Sequence, residues 1–233
     1  MDFENRHVVV TGGTGALGTA VLSALLDAGA VCHVPYRNAK ALDGFPHRSN
    51  ARVSFVALGD LADETAVMRY YEGLSQLWAS IHLAGAFTGA SIAQSDKSLL
   101  MSQLESNLVS AYLCSRAAAI ALRRLGAGGR IVNVAARQAL EPRLGAGSVA
   151  YTTAKAAVAA LTTALGAELA DDGILVNAIA PSVMDTPANR AAMPKAHFDS
   201  WPGVEEVAAT ILFLASPANT VTRGAVVPVY GKA

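Results

Sequence analysis

The run Val8-Val9-Val10-Thr11-Gly12-Gly13-Thr14-Gly15-Ala16-Leu17-Gly18 limits what this chain can fold into more than any other stretch. Its β-branched residues favour a buried strand, and the glycines behind them turn the backbone sharply into a helix that starts near Ala16. Where a dinucleotide pyrophosphate lies over a helix N-terminus, side chains are excluded, because backbone N–H groups and the positive end of the helix dipole must approach it. Gly12 and Gly18 matter most for that approach, with Thr11, Thr14, Gly15, Ala16 and Leu17 completing the loop. The same turn also serves as plain connecting chemistry in α/β proteins, so the rest of the chain must decide.

Strand and helix patterns alternate along that remainder. Strands are predicted at Arg6–Val10, Val31–Tyr36, Arg52–Leu58, Leu77–His82, Arg130–Val134, Leu175–Ile179 and Ala225–Val229. Helices are predicted at Ala16–Ala28, Asp63–Leu74, Ser95–Leu125, Val149–Ala170 and Val204–Ala215. The rhythm predicts one α/β domain over residues 1–233, a doubly wound, mostly parallel sheet of seven strands with helices on both faces. Right-handed crossovers put ligands at the carboxyl ends of those strands.

Charge narrows the partners. Lys and Arg balance Asp and Glu at 18 each, and only 15% of residues are charged, so no basic patch points to nucleic acid or an anionic membrane. The segment Met1–Arg6 lacks a signal-peptide pattern and no apolar run reaches spanning length, which makes the cytoplasm the expected location. Cys32 and Cys114 sit in apolar strand and helix contexts and read as small core residues rather than a disulfide; no metal site is expected.

The second strand carries the cofactor choice. An acidic side chain at its end would bind the ribose hydroxyls of NAD, whereas an arginine accommodates the phosphate of NADP. Here Tyr36 stands in the acidic residue's place and Arg37 follows, which favours NADP(H) over NAD(H), since a guanidinium grips phosphate bidentately. The lesser alternative is that Arg37 is a solvated turn residue. Beyond the third strand, Asp60, next to Leu61, either accepts from an adenine amino group or caps the helix that begins near Asp63.

Tyr151 and Lys155 are four apart in a helical pattern, so phenol and ammonium share one face. A tyrosine ionises at about 10 in reference peptides, and an adjacent ammonium is predicted to stabilise the phenolate and lower that value. Tyr151 could then protonate a developing alkoxide or amide nitrogen as hydride arrives from a nicotinamide, with Lys155 also holding the nicotinamide ribose.

Thr11-Gly-x-x-x-Ala-x-Gly18, Ala84-Gly85, Asn107, Tyr151-x-x-x-Lys155 and Pro181 through Thr186 together resemble the short-chain dehydrogenases/reductases over essentially the whole chain. The resemblance implies a Rossmann-type fold and an NAD(P)-dependent oxidoreductase. It implies that Ala84 and Gly85 let the cofactor approach the backbone, and that Pro181, Val183 and Thr186 bind it, Thr186 at the nicotinamide carboxamide. It implies that Asn107 opens its helix locally and holds a water, and that His82, in place of a strand-stabilising asparagine, is a structural hydrogen-bonding residue.

One departure changes the chemistry. Where the family has serines, one of them bonded to the substrate carbonyl oxygen, this chain has Ala135-Ala136. An oxyanion donor contributes a few kcal/mol, so either Gln138 or Ser148 replaces it or the substrate does not need it. Quinonoid dihydropteridine reductases are similar proteins that lack this serine and reduce an activated ring. The run Asp185-Thr186-Pro187-Ala188-Asn189-Arg190-Ala191-Ala192-Met193-Pro194, with Phe198 and Trp201 downstream, resembles theirs, as does the cofactor loop. Their second strand ends in Asp and takes NADH, unlike Tyr36-Arg37.

Residues 182–201 fall where the family places a mobile lid, in which Met193, Phe198 and Trp201 either cover a flat substrate or anchor the loop. A small-molecule oxidoreductase is therefore expected, reducing a conjugated, quinonoid or carbonyl compound. A ketone or alcohol oxidoreductase using Gln138 or Ser148, and a non-catalytic cofactor-binding protein, are the alternatives. The resemblance implies a homodimer or homotetramer paired through the long helices, whose Ala117-Ala118-Ala119 and Ala156-Ala157 could pack between subunits or within one.

Overall fold

A computed structural model describes residues 1–126 and 128–232. The strands are β1 (His7–Thr11), β2 (Val31–Tyr36), β3 (Val53–Ala57), β4 (Ala79–His82), β5 (Gly129–Val134), β6 (Ile174–Pro181) and β7 (Val226–Val229). They form one parallel seven-stranded sheet in the order β3-β2-β1-β4-β5-β6-β7. The order reverses direction at β1, so β1 and β4 splay their loops apart and open a crevice at their carboxyl ends.

The helices are α1 (Ala16–Asp27), α2 (Glu64–Glu72), α3 (Lys97–Leu104), α4 (Ser110–Leu125), α5 (Arg137–Leu140), α6 (Val149–Glu168), α7 (Pro187–Ala192) and α8 (Val204–Ala215). Alternation along the strands supplies two cores. Val8, Val10, Ile81 and Val132 face α1 and α8, while Val9, Ile131 and Val176 face α2 and α4. Cys32 lies in the first core and Cys114 in the second, both as free thiols that burial pushes up to about 12. Ala117, Ala118 and Ala119 are buried inside this subunit's second core rather than left for a partner.

The long helical pattern over residues 95–125 is not uniform. Asp96 caps α3 by accepting from the Leu99 N–H, and a π-helical turn, Glu105–Val109, links α3 to α4. The short helices α5 and α7, each under two turns, lie at the carboxyl end of the sheet and have no counterpart in the sequence reading.

Candidate active site

Register brings Thr11, His82 and Asn133 abreast, because Thr11 pairs with His82 and His82 with Asn133. The glycine loop sits just beyond. Gly12 has φ +68°, and a Cβ there would lie 2.7 Å from the Ala84 nitrogen, so only glycine fits between β1 and the loop after β4. A Cβ on Gly18 would strike the Gly12 carbonyl and the Gly13 backbone. Thr11 contributes its hydroxyl, which accepts from the Ala84 N–H at 3.4 Å. Gly15 is the N-cap of α1 with no side-chain cap, leaving the N–H groups of Ala16 and Leu17 to face the crevice beside half-buried Thr14. This is a cradle suited to a pyrophosphate.

At the adenosine end, Tyr36 is half-buried at the close of β2 and Arg37 is exposed. Asp60 is not the cap of α2. It accepts from Ala62 N–H at 2.9 Å in a tight local turn, whereas Asp63 caps the helix by accepting from Ala66 N–H at 3.0 Å. Asp60 and Leu61 therefore belong to the loop at the crevice edge.

The π-helical turn explains how Asn107 reaches inward. Inserting one residue into the helical ladder rotates it toward Gly85, where a Cβ would lie 2.6 Å from its Oδ1. Its amide then holds Ala86 on both sides: Nδ2 donates to the Ala86 carbonyl at 2.8 Å, and Oδ1 accepts the Ala86 N–H at 3.2 Å. Nδ2 also donates to the Gln103 carbonyl at 3.0 Å. The side-chain amide is thus a backbone clamp on Ala86.

Lys155 reaches the same point from α6. Its Nζ lies 3.5 Å from the Cβ position of Gly85 and donates to the Val134 carbonyl at 2.7 Å. Burial lowers its pKa to about 8. Tyr151 is close by, with its ring centre 5.9 Å from that Nζ. Here the expectation of a phenol made more acidic fails: burial pushes Tyr151 up to about 12. The ammonium is committed to a carbonyl and is itself destabilised by burial, so it does not offset the desolvation of the phenol.

The ring packed on Tyr151 belongs to Phe87, at 4.9 Å between centres and 82° between planes. The sequence reading passed over Phe87; its only signal was its place two residues after Gly85, on a loop leaving the carboxyl end of a central strand.

Ala135 and Ala136 are buried, at 1% and 4% exposed, so methyl groups stand where hydroxyls were expected. Of the two proposed substitutes, Ser148 is buried and donates to the Gly145 carbonyl at 3.3 Å, while Gln138 lies half-buried in α5. Pro181 ends β6, and in the segment that follows Val183 is half-buried and Thr186 caps α7 by accepting from Asn189 N–H at 3.1 Å. Arg190 forms a two-point ion pair with Asp185 at 2.6 and 2.7 Å and covers Phe198, which packs on Trp201 at 5.0 Å. Phe198 and Trp201 therefore pack within residues 182–201, and Met193 is half-buried at the end of α7.

Beneath the site runs a buried polar chain on the α2/α4 side of the sheet. Tyr71 meets Ser80 at 2.7 Å, Ser80 meets His82 Nε2 at 2.8 Å, and His82 Nδ1 meets Asn133 Oδ1 at 2.8 Å. Asn133 Nδ2 donates to Thr162 of α6 at 3.0 Å. Because Asn133 Oδ1 only accepts, His82 carries its proton on Nδ1 and Nε2 accepts from Ser80. His82 is thus structural, and burial lowers its pKa to about 4.

Among the described residues no helix is long and apolar enough to cross a membrane, and no group of three His, Cys, Asp or Glu side chains is placed to hold a metal ion. The chain is 32% identical to galactitol 2-dehydrogenase of Rhizobium johnstonii, with 97% of this chain and 94% of that protein covered. It is 33% identical to L-xylulose reductase of Bos taurus, with 97% and 95% covered. The fold superposes on ElxO with NADP bound at a TM-score of 0.88 and 24% identity, over 97% of this chain and 98% of that one. Residues 6–197 match the family described as short chain dehydrogenase, and the chain belongs to that family of NAD(P)-dependent oxidoreductases.

Proposed function

We propose that the chain reduces a small conjugated or quinonoid carbonyl or imine compound, with NADP(H) favoured over NAD(H). The observation that carries this reading is the convergence of Lys155 and Asn107 on Gly85 with the Tyr151 ring 5.9 Å from the Lys155 ammonium, and buried methyl groups at Ala135 and Ala136 where an oxygen-binding hydroxyl would stand. An activated ring depends less on such a donor than a simple ketone does.

The cofactor fits the residues present. Gly12 and Gly18 admit its pyrophosphate, the uncapped start of α1 offers N–H donors, Arg37 is available to a phosphate, and Ala84, Gly85, Val183 and Thr186 border its nicotinamide end. Bound there, the nicotinamide supplies hydride. Tyr151, with its pKa near 12, remains protonated at neutral pH and gives its Oη proton to the oxygen or nitrogen that the hydride leaves negative. Lys155 Nζ, fixed by the Val134 carbonyl, holds the ribose beside that phenol. Asn107 keeps the Ala86 backbone, and so the wall of the pocket, in place.

A second reading, a polyol or ketose oxidoreductase, is favoured by the names of the two relatives. In that case Gln138 is the better oxygen donor, since the Ser148 hydroxyl is committed to Gly145. We also propose self-association through α4 and α6, whose outer faces expose Tyr112, Ile120 and Val149.

The test is oxidation of NADPH and NADH with a quinonoid dihydropterin and with L-xylulose, for wild type, Tyr151→Phe, Gln138→Ala and Arg37→Ala. The main reading expects dihydropterin turnover that is lost in Tyr151→Phe, kept in Gln138→Ala, and shifted toward NADH in Arg37→Ala. Turnover of L-xylulose alone, lost in Gln138→Ala, supports the second reading. Tight cofactor binding with no turnover of either compound refutes both.

A further inference from the structure

Phe87 is one of several large apolar side chains left exposed, beside Ile92 and Val221. It is 63% exposed, yet it sits on a loop held at several points. Asn107 clamps Ala86 from both sides, and Thr88 N–H donates to Oε1 of the buried Gln103 at 3.3 Å. Farther along, Ala90 bridges to Ser148 in parallel fashion, and Gly89 is so close to Gly147 that a Cβ would lie 3.3 Å from its carbonyl. A phenylalanine loses apolar stabilisation by staying in water, and an ordered loop gives it no freedom in exchange. Its ring meets Tyr151 edge-on, at 4.9 Å and 82°, and its Cζ lies 3.5 Å from the Cβ position of Gly89, while most of its surface stays open to solvent.

We infer that Phe87 determines specificity: its ring and that of Tyr151 form two perpendicular walls that accept the flat aromatic or conjugated portion of a substrate beside the proton-donating phenol. This rests on the reductase reading and gives it a substrate class. A stacked ring gains from the exposed aromatic face, whereas a polyhydroxylated chain would lose hydrogen bonds to water against it.

The experiment compares wild type, Phe87→Ala and Phe87→Tyr with whichever nicotinamide cofactor is oxidised. The first readout is the ratio of kcat/KM for 1-phenyl-1,2-propanedione over 2,3-butanedione, two activated diketones that differ in the flat ring. The second is equilibrium binding of the non-reducible probe 2-naphthamide, followed by NMR titration. The expected result is a ratio about tenfold lower in Phe87→Ala and retained in Phe87→Tyr, with probe affinity falling in parallel. A ratio and a probe affinity within about twofold of wild type in Phe87→Ala would overturn the inference while leaving the reductase reading intact. Absence of turnover together with Phe87-dependent probe binding would overturn the reductase reading and keep the aromatic site. Absence of both would remove both.

Discussion

Replacing His82 by asparagine should remove a specific acid sensitivity. His82 is fully enclosed, with Nε2 accepting from Ser80 and Nδ1 donating to Asn133, so a second proton must be buried as charge and would force the Ser80 hydroxyl to turn from donor to acceptor. Its folded-state pKa lies near 4, below the unfolded value of 6.5. Between those values the unfolded chain binds the extra proton and the folded chain does not, so stability falls as pH drops from 6.5 toward 4. The gap of about 2.5 units corresponds to about 3 kcal/mol in full, of which about 2 kcal/mol is lost by pH 5. Urea unfolding of wild type and His82→Asn at pH 7.5 and pH 5 isolates this contribution, because other titrating groups are common to both proteins. The difference in unfolding free energy between them should move by about 2 kcal/mol in favour of the variant at pH 5. A difference that stays constant between the two pH values would refute the argument that the neutral imidazole is held in place by burial.

Lys155 predicts an effect of the same sign at high pH. Its folded-state pKa near 8 lies below the unfolded 10.5, so wild type should gain stability relative to Lys155→Met as pH rises from 8 to 10.5, by up to about 3 kcal/mol in parallel urea titrations. Gly12→Ala places a Cβ 2.7 Å from the Ala84 nitrogen at φ +68°, so unfolding should cost about 1–3 kcal/mol less and NADPH fluorescence titration should show weakened binding.

The alternation of strands and helices was legible because both periods are local properties of the chain. The glycine loop was legible for the same kind of reason, since Gly12 is required by its own backbone angle as well as by the approach of Ala84. Asn107 was found only through resemblance. Its position inside the crevice depends on a π-helical turn, and that turn is tied to a bond with Ala86, which lies 21 residues away. Asp60 and Asp63 show the limit of local reading: both are helix-capping residue types near one helix start, and the distinction between them is which carboxylate faces the Ala66 N–H.

The pairing of Tyr151 with Lys155 was read correctly as a shared helix face and wrongly as an acidified phenol. Spacing fixes direction, but the sign of a pKa shift depends on burial and on what else the ammonium touches, here the Val134 carbonyl. That same geometry links the polar chain to the site. Asn133 is fixed by His82 on β4 and by Thr162 on α6, while the next residue, Val134, offers its carbonyl to Lys155 on that helix. Thus α6 is held to the end of β5 twice, once through the buried amide and once through the ammonium. The helix that carries Tyr151 is therefore registered against the strand that carries Ala135 and Ala136 without any help from a serine there. Losing the serine hydroxyl removes a group that could bind substrate oxygen, but it leaves the position of the phenol intact. That separation keeps Tyr151 registered against β5 while the buried methyl groups of Ala135 and Ala136 leave no hydroxyl at that point.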